Sequence, residues 1–310
     1  MQISILLAQQ IAQLFLILIM GYAVVKAGLL KASDSRVLSV VMVYLVTPCV
    51  IINAFQIDDT PEIRKGLLYS MAIAAAIHVV LLVLSALLSR PLKLDAVEQV
   101  NVIYSNAAAL VIPLVKALMG DAYVIYSCAF IIVQLVLLWT HASSLLQGSS
   151  ALDWKKVLTN INMIAIAAGA LLYWFRVVLP APLQNTMSTV GNMMGPMGML
   201  LAGMAIAEKP LREGFCTRRN YLPTVLRLVV CPLVVLVLLW VCHASSWVAD
   251  GKNILMTVYL AAITPACATV TSMAQLYDRD AAHSSALYVL TTLLSIVSMP
   301  VMIGLFDLLL

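Results

Sequence analysis

Charge is what this sequence has least of. Its 310 residues include 18 Lys or Arg and 14 Asp or Glu, so charged residues make up 10% of the chain, against about 25% in soluble domains. So few charges cannot cover a closed water-facing surface, which excludes an ordinary cytosolic enzyme, a nucleic-acid binder and a disordered chain. Metal and catalytic signatures are missing too. The six cysteines form no CxxC pair, and five of them lie in apolar runs, where a thiol acts as a small apolar side chain rather than a ligand or disulfide partner. There is no GxSxG, no carboxylate pair inside an apolar run and no His/Cys cluster with ligand spacing. The reading is therefore not an enzyme, with no catalytic residue, no metal site and no cofactor. What is present is hydrophobicity: 63% of residues are apolar and the mean hydropathy is +1.02. This predicts a polytopic membrane protein.

A membrane-crossing helix needs about 20 apolar residues. Charge-poor runs bounded by charged or Pro/Gly punctuation predict ten such helices, Ile3–Val25, Val37–Ile57, Leu67–Leu88, Val97–Met119, Ala122–Leu146, Val157–Val178, Leu183–Ala207, Tyr221–Val241, Ile254–Leu276 and Ala281–Leu309. The runs are too long and continuous for a β-barrel, so the fold class is all-α. No basic residue precedes the first run, which reads as a retained span rather than a signal peptide. Loops after spans one, three, five, seven and nine carry twelve Lys and Arg, and the opposite loops carry four. Positive residues favour the cytoplasmic side, so both termini are expected on the extracytoplasmic side of the plasma (inner) membrane.

Five spans per half place two similar halves, residues 1–150 and 151–310, in opposite orientations. Traces of such an inverted repeat are visible. Leu38-Ser39 and Thr47-Pro48 in span two answer Met187-Ser188 and Gly195-Pro196 in span seven. Span four holds Ser105, Asn106 and Pro113; span nine holds Thr264, Pro265, Thr269, Thr271 and Ser272. Backbone groups in a bilayer must be satisfied internally, and proline removes a donor. Interrupted helices at corresponding places in two halves point to a transporter binding site, where half-helix N-termini face anions and freed carbonyls hold cations. Packing alone also explains a kinked helix with hydroxyls, and two at matching positions shift the balance toward a site.

Other polar residues have two readings each. Lys116, one turn beyond Pro113, either faces the anion path or snorkels to an interface, and the same holds for Arg227. Asn53, Asn192, Gln134 and His141 are possible cavity-lining groups, His141 alternatively a packed, hydrogen-bonded histidine. Pro48, Pro196, Gly191, Gly195, Gly198 and Gly203 read as kinks and close helix contacts. Asp58-Asp59 and Asp278/Asp280 look like solvated caps.

Taken in order, these residues resemble the auxin efflux carrier family, which includes plant auxin carriers and bacterial dicarboxylate permeases. The resemblance covers essentially the whole chain and suggests a bacterial member. It rests on Gly21-Tyr22 through Gly28-Leu29, Pro48-Cys49-Val50-Ile51-Ile52, Ser105-Asn106 through Pro113-Leu114 and Ala117-Leu118-Met119-Gly120, Gly191-Asn192 with Pro196 and Gly203, and Pro265-Ala266-Cys267. It implies spans one, two, six and seven as a scaffold, spans three to five and eight to ten as a moving transport domain, elevator-type alternating access and a homodimer. Spans four and nine would cross at their breaks and bind substrate there. Asn106 and Pro113 match the family's first crossover. Span nine departs from the second, with Pro265 early and Thr269, Thr271 and Ser272 at the later break. Lys116 stands where relatives carry an apolar residue.

The expectation is a secondary carrier for a small organic anion, an auxin-like aromatic acid or a dicarboxylate. Asn106, Ser105, Pro113, Lys116, Thr264, Pro265, Thr269, Thr271 and Ser272 would form the site, with proton or sodium coupling both open. The partners are that anion and the lipid bilayer, with no nucleic acid. The alternatives are an intramembrane enzyme acting on a lipid-linked substrate and a non-transporting sensor.

Overall fold

Residues 2–56, 60–148, 159, 161–207 and 217–310 are described by a computed structural model of the chain. Asp58, Asp59, Cys216, Lys155, Lys156, Lys209 and Arg212 fall outside them, as do the side chains of Pro113 and Lys116. Among the described residues the fold is all-helical, with one isolated antiparallel bridge and no strand.

Helix occupies each of the ten apolar runs. The elements are α1 (Gln2–Lys26), α2 (Ser35–Asn53), α3 (Pro61–Leu92), α4 (Ala96–Ile103), α5 (Ala107–Met119), α6 (Val124–Gln147), α7 (Ile161–Trp174), α8 (Ala181–Gly191), α9 (Met194–Ala207), α10 (Arg218–Val241), α11 (Gly251–Ile263), α12 (Ala268–Leu276) and α13 (Ala281–Leu309). Five of these, α2, α3, α6, α10 and α13, are long and apolar enough to cross a membrane by themselves. Local chemistry sets several ends. Thr60 caps α3 by accepting from the Ile63 amide, and Pro61 occupies the first turn, where its missing N–H costs nothing. Asp95 and Glu98 form a reciprocal capping box at the start of α4. Asp280 caps α13 by accepting from the His283 amide at 2.9 Å, the role its turn position suggested.

Two runs are interrupted where small polar residues cluster: span four at residues 104–106 and span nine at 264–267. The details differ from the sequence reading. Pro113 lies inside the continuous helix α5, seven residues beyond the actual break. Thr269, Thr271 and Ser272 belong to α12, after the break rather than in it. What interrupts span four is the extended Tyr104 (φ −92°, ψ 125°), whose neighbours pair with a distant segment instead of continuing the helix. Three further runs widen into π-turns, at Met42–Val46, Leu138–Ala142 and Leu226–Val230. Pro48 and Pro232 follow two of them, and each lacks the N–H an α-turn would require.

Small residues set the closest helix contacts. A Cβ on Gly203 of α9 would lie 2.0 Å from the Leu18 carbonyl oxygen of α1, and one on Gly21 of α1 would lie 2.3 Å from that of Leu200. Backbone therefore meets backbone along this pair, a small-residue packing familiar in membranes. Gly169 of α7 receives the Phe55 ring, and Gly191 of α8 faces Val50 of α2. In the main core, Ile77, Leu81, Phe130, Tyr259 and Phe306 tie α3, α6, α11 and α13, and Leu18 and Met199 join α1 and α9 to the same cluster. The five described cysteines are free thiols.

Candidate functional site

The two breaks meet. The Asn106 amide donates to the Pro265 carbonyl at 2.7 Å, and the Cys267 amide donates to the Tyr104 carbonyl at 3.1 Å. Ser105 and Ala266 thus pair as an antiparallel bridge in the middle of two broken helices. Each break leaves one half-helix ending in free carbonyls and the next beginning with free amides. The crossing accordingly collects two negative helix ends, of α4 and α11, and two positive ends, of α5 and α12.

Side chains from three other helices hold this crossing. Gln134 of α6 accepts from both the amide (3.0 Å) and hydroxyl (2.7 Å) of Ser105 and donates to its carbonyl at 2.8 Å. Thr291 of α13 accepts from the Ala266 amide at 3.1 Å. Arg227 of α10, 1% exposed, turns its guanidinium onto the two negative ends. Its Nε and Nη2 donate to the Thr264 carbonyl at 3.0 and 2.8 Å, and its Nη1 donates to Val102 and Ile103, both at 3.1 Å. The second Nη2 hydrogen goes to Ala262. Because Gln134 satisfies three groups of one buried residue, Gln134→Ala should lower stability by roughly 2–3 kcal/mol through unpaired backbone groups. Thermal denaturation of the purified protein measures this, and an unchanged midpoint would show the clasp to be idle.

A cavity of about 870 Å³ reaches toward the crossing from the end of the bundle marked by Arg36, Gln147 and Asp278. Its walls are mainly α2, α6 and α12 and carry uncharged polar groups, among them Ser39, Thr140, Ser143 and Gln275. Ser39, Val43, Thr269, Ser272 and Gln275 also line a smaller pocket of about 70 Å³, whose far wall is Tyr288. Ser285, on the same wall, is 5% exposed and its hydroxyl has no hydrogen-bond partner. Behind Tyr288 lies Asn106, 3% exposed, which donates from Nδ2 to the Tyr288 hydroxyl at 3.4 Å. The pocket also adjoins the first turn of α12 at Ala268 and Thr269.

The structure brings together only part of the expected set. Thr269, Thr271 and Ser272 line the pocket, and Thr271 also shares a 3.1 Å hydrogen bond with Ser284. Asn106 stands one hydrogen bond from it. Ser105 is spent on Gln134, Thr264 on its own helix and Arg227, and Pro265 on the backbone pairing. Gln134 is a clasp, and His141 is held 3.0 Å from the Tyr104 hydroxyl, the packed reading of that histidine. Asn53 and Asn192 line neither cavity, and Asn192 is exposed. Sequence reasoning left out Tyr288 and Ser285 and did not foresee that Arg227 would hold the crossing. An arginine between Pro223 and Pro232 in an apolar run was the available signal.

A second polar cluster lies away from the cavity. Arg219 pairs with Asp95 (2.8 Å) and with Glu98 (2.6 Å), and His283 Nε2 lies 3.2 Å from Glu98. The carboxylates and imidazole are close enough together to suggest a metal site, but Arg219 already bonds both carboxylates. The cluster joins the starts of α4, α10 and α13.

A family model described as "Membrane transport protein" matches residues 6–152 and again residues 151–303. No curated protein matches the chain.

Proposed function

The chain belongs to the membrane transport protein family, that of the auxin efflux carriers, and on that premise we propose that it is a secondary carrier of a small organic anion. The crossing of the two broken helices beside a polar pocket carries this reading. The two carbonyl ends are neutralised by Arg227, so the field left at the pocket is that of amide ends and neutral donors. Thr269, Ser272, Ser285 and Tyr288 then offer hydrogen bonds to a carboxylate without a full counter-charge. Asn106 reaches the substrate by way of Tyr288 or directly once that ring turns.

Ten spans in two inverted halves fit the helix order and the repeated family match, with α4–α5 and α11–α12 as single broken spans. Mutual packing of α1, α2, α7, α8 and α9 supports their role as scaffold. The remaining helices would move as the transport domain, in a homodimer of the plasma membrane. With the basic loops taken as cytoplasmic, the end of the 870 Å³ cavity at Arg36, Gln147 and Asp278 would open to the cytoplasm, which supports reading this conformation as inward-facing.

Asn106→Ala should weaken substrate binding about 10- to 100-fold, the value of a hydrogen bond to a charged group, while the protein still inserts. Uptake and binding of a labelled panel of aromatic and dicarboxylic acids in proteoliposomes provides the test. Unchanged affinity for every transported acid would remove Asn106 from the site. Absence of transport for the whole panel would overturn the organic-anion reading.

A further inference from the structure

Main-chain carbonyls at broken helix ends are the ligands with which membrane carriers hold alkali cations. Four such oxygens, of Val102, Ile103, Ala262 and Thr264, converge at this crossing, and a side chain of the protein itself fills the space between them. All five N–H donors of Arg227 are used there and all five go to main-chain oxygen. A buried guanidinium is ordinarily matched by a carboxylate. This one is matched by two helix C-termini, each carrying about half a negative charge. Together they supply what a single monovalent cation requires.

We propose that the carbonyl cage at the crossing is a monovalent-cation site occupied permanently by the chain's own guanidinium, making the carrier independent of sodium. The inference rests on the carrier reading above and concerns its driving force. A diffusible cation binds and leaves, which couples its gradient to substrate movement. Arg227 is tethered to α10 and keeps its charge at any physiological pH, so its occupancy follows no ion gradient. The crossing then stays assembled whether or not substrate is bound, and sodium has no vacancy at the cage to enter.

Thermal stability of the purified full-length protein tests this without knowledge of the substrate. Wild type should have the same unfolding midpoint in sodium, potassium and choline chloride at equal ionic strength. A sodium-specific rise would overturn the proposal. Arg227→Ala should unfold at lower temperature, and millimolar guanidinium should raise its midpoint by roughly 3–6 °C over choline, with sodium giving a smaller rise. Arg227→Met fills the space with apolar atoms and should not respond. A folded Arg227→Ala protein that neither ion stabilises would overturn the proposal. Should Arg227→Ala not fold, Arg227→Lys decides: it keeps a tethered cation and should be indifferent to sodium, and sodium-dependent stability there would be the contrary result. None of these readouts involves uptake, so a failed organic-acid panel would count against the carrier reading alone.

Discussion

Methionine in place of Arg227 should leave a protein that inserts but neither holds its crossing nor transports. The substitution nearly preserves side-chain volume and removes all the guanidinium donors to Val102, Ile103, Ala262 and Thr264, leaving Val102 only the weak Cys231 thiol. A buried acceptor left alone costs roughly 1–3 kcal/mol. With three left bare and Val102 held only by a weak thiol donor, even the lower part of that range is a large share of a total stability of about 5–15 kcal/mol. A loss of about 4 kcal/mol corresponds to a fall of roughly 8–16 °C in the unfolding midpoint. Two uncompensated helix ends would also repel each other across the crossing, so at least a tenfold loss of uptake is expected. Arg227→Lys retains the charge but offers three donors on a point-like head and should fall between the two. Equal midpoints and equal uptake for wild type and Arg227→Met would remove Arg227 from any structural role.

Leucine at position 203 should be comparably severe for a different reason. A Cβ alone at Gly203 would meet the Leu18 carbonyl oxygen at 2.0 Å and the Tyr22 nitrogen at 2.7 Å. Both obstacles are backbone and cannot swing aside, so α1 and α9 must separate along their length. Alanine should cost about 1–3 kcal/mol as ordinary overpacking, and leucine more, with a clear fall in folded yield. The comparison of Gly203→Ala with Gly203→Leu by size-exclusion profile and thermal midpoint gives the graded response. Equal stability for all three proteins would mean that the helices are not in backbone contact. Gly28, where a Cβ would meet nothing within 4 Å, is not a neutral control because its φ of +75° strains any side chain. Gly304, in open space with ordinary helical φ, is the better one.

Long apolar runs made the helices legible, since period and length both follow from the bilayer. The breaks were legible as well, because small polar residues and proline in mid-run have few structural uses. Their exact positions were not. Pro113 looked like the breaker of span four, yet α5 runs through it, and residues 104–106 leave the helix instead because Ser105 finds a partner in Ala266. That partner lies in the other half of the chain, so no local pattern reports it. The same limit applies to Arg227, whose ligands are main-chain oxygens with no sequence signature. Asn106, expected among the binding residues, lies at the crossing, and Tyr288, which separates it from the pocket, looks like any aromatic in an apolar helix. Of the glycines read as close contacts, Gly191 and Gly203 press on neighbouring helices while Gly198 has only ordinary contact, and Gly21 of α1, which meets Leu200, was not read that way.

The bridge between Ser105 and Ala266 has a consequence for how the protein is made. The two residues are separated by more than half of the chain, and Arg227 and Gln134 must also be in place before the break at 104–106 is satisfied. A ribosome adding about 5–20 residues per second needs roughly ten to thirty seconds between the first break and its partner. During that interval the nascent first half carries an exposed polar gap that it cannot close alone. Its insertion must therefore be tolerated by the translocon or shielded by lipid headgroups and water until the second half arrives. The halves of this protein are repeats in sequence, but they are obligate partners in biogenesis.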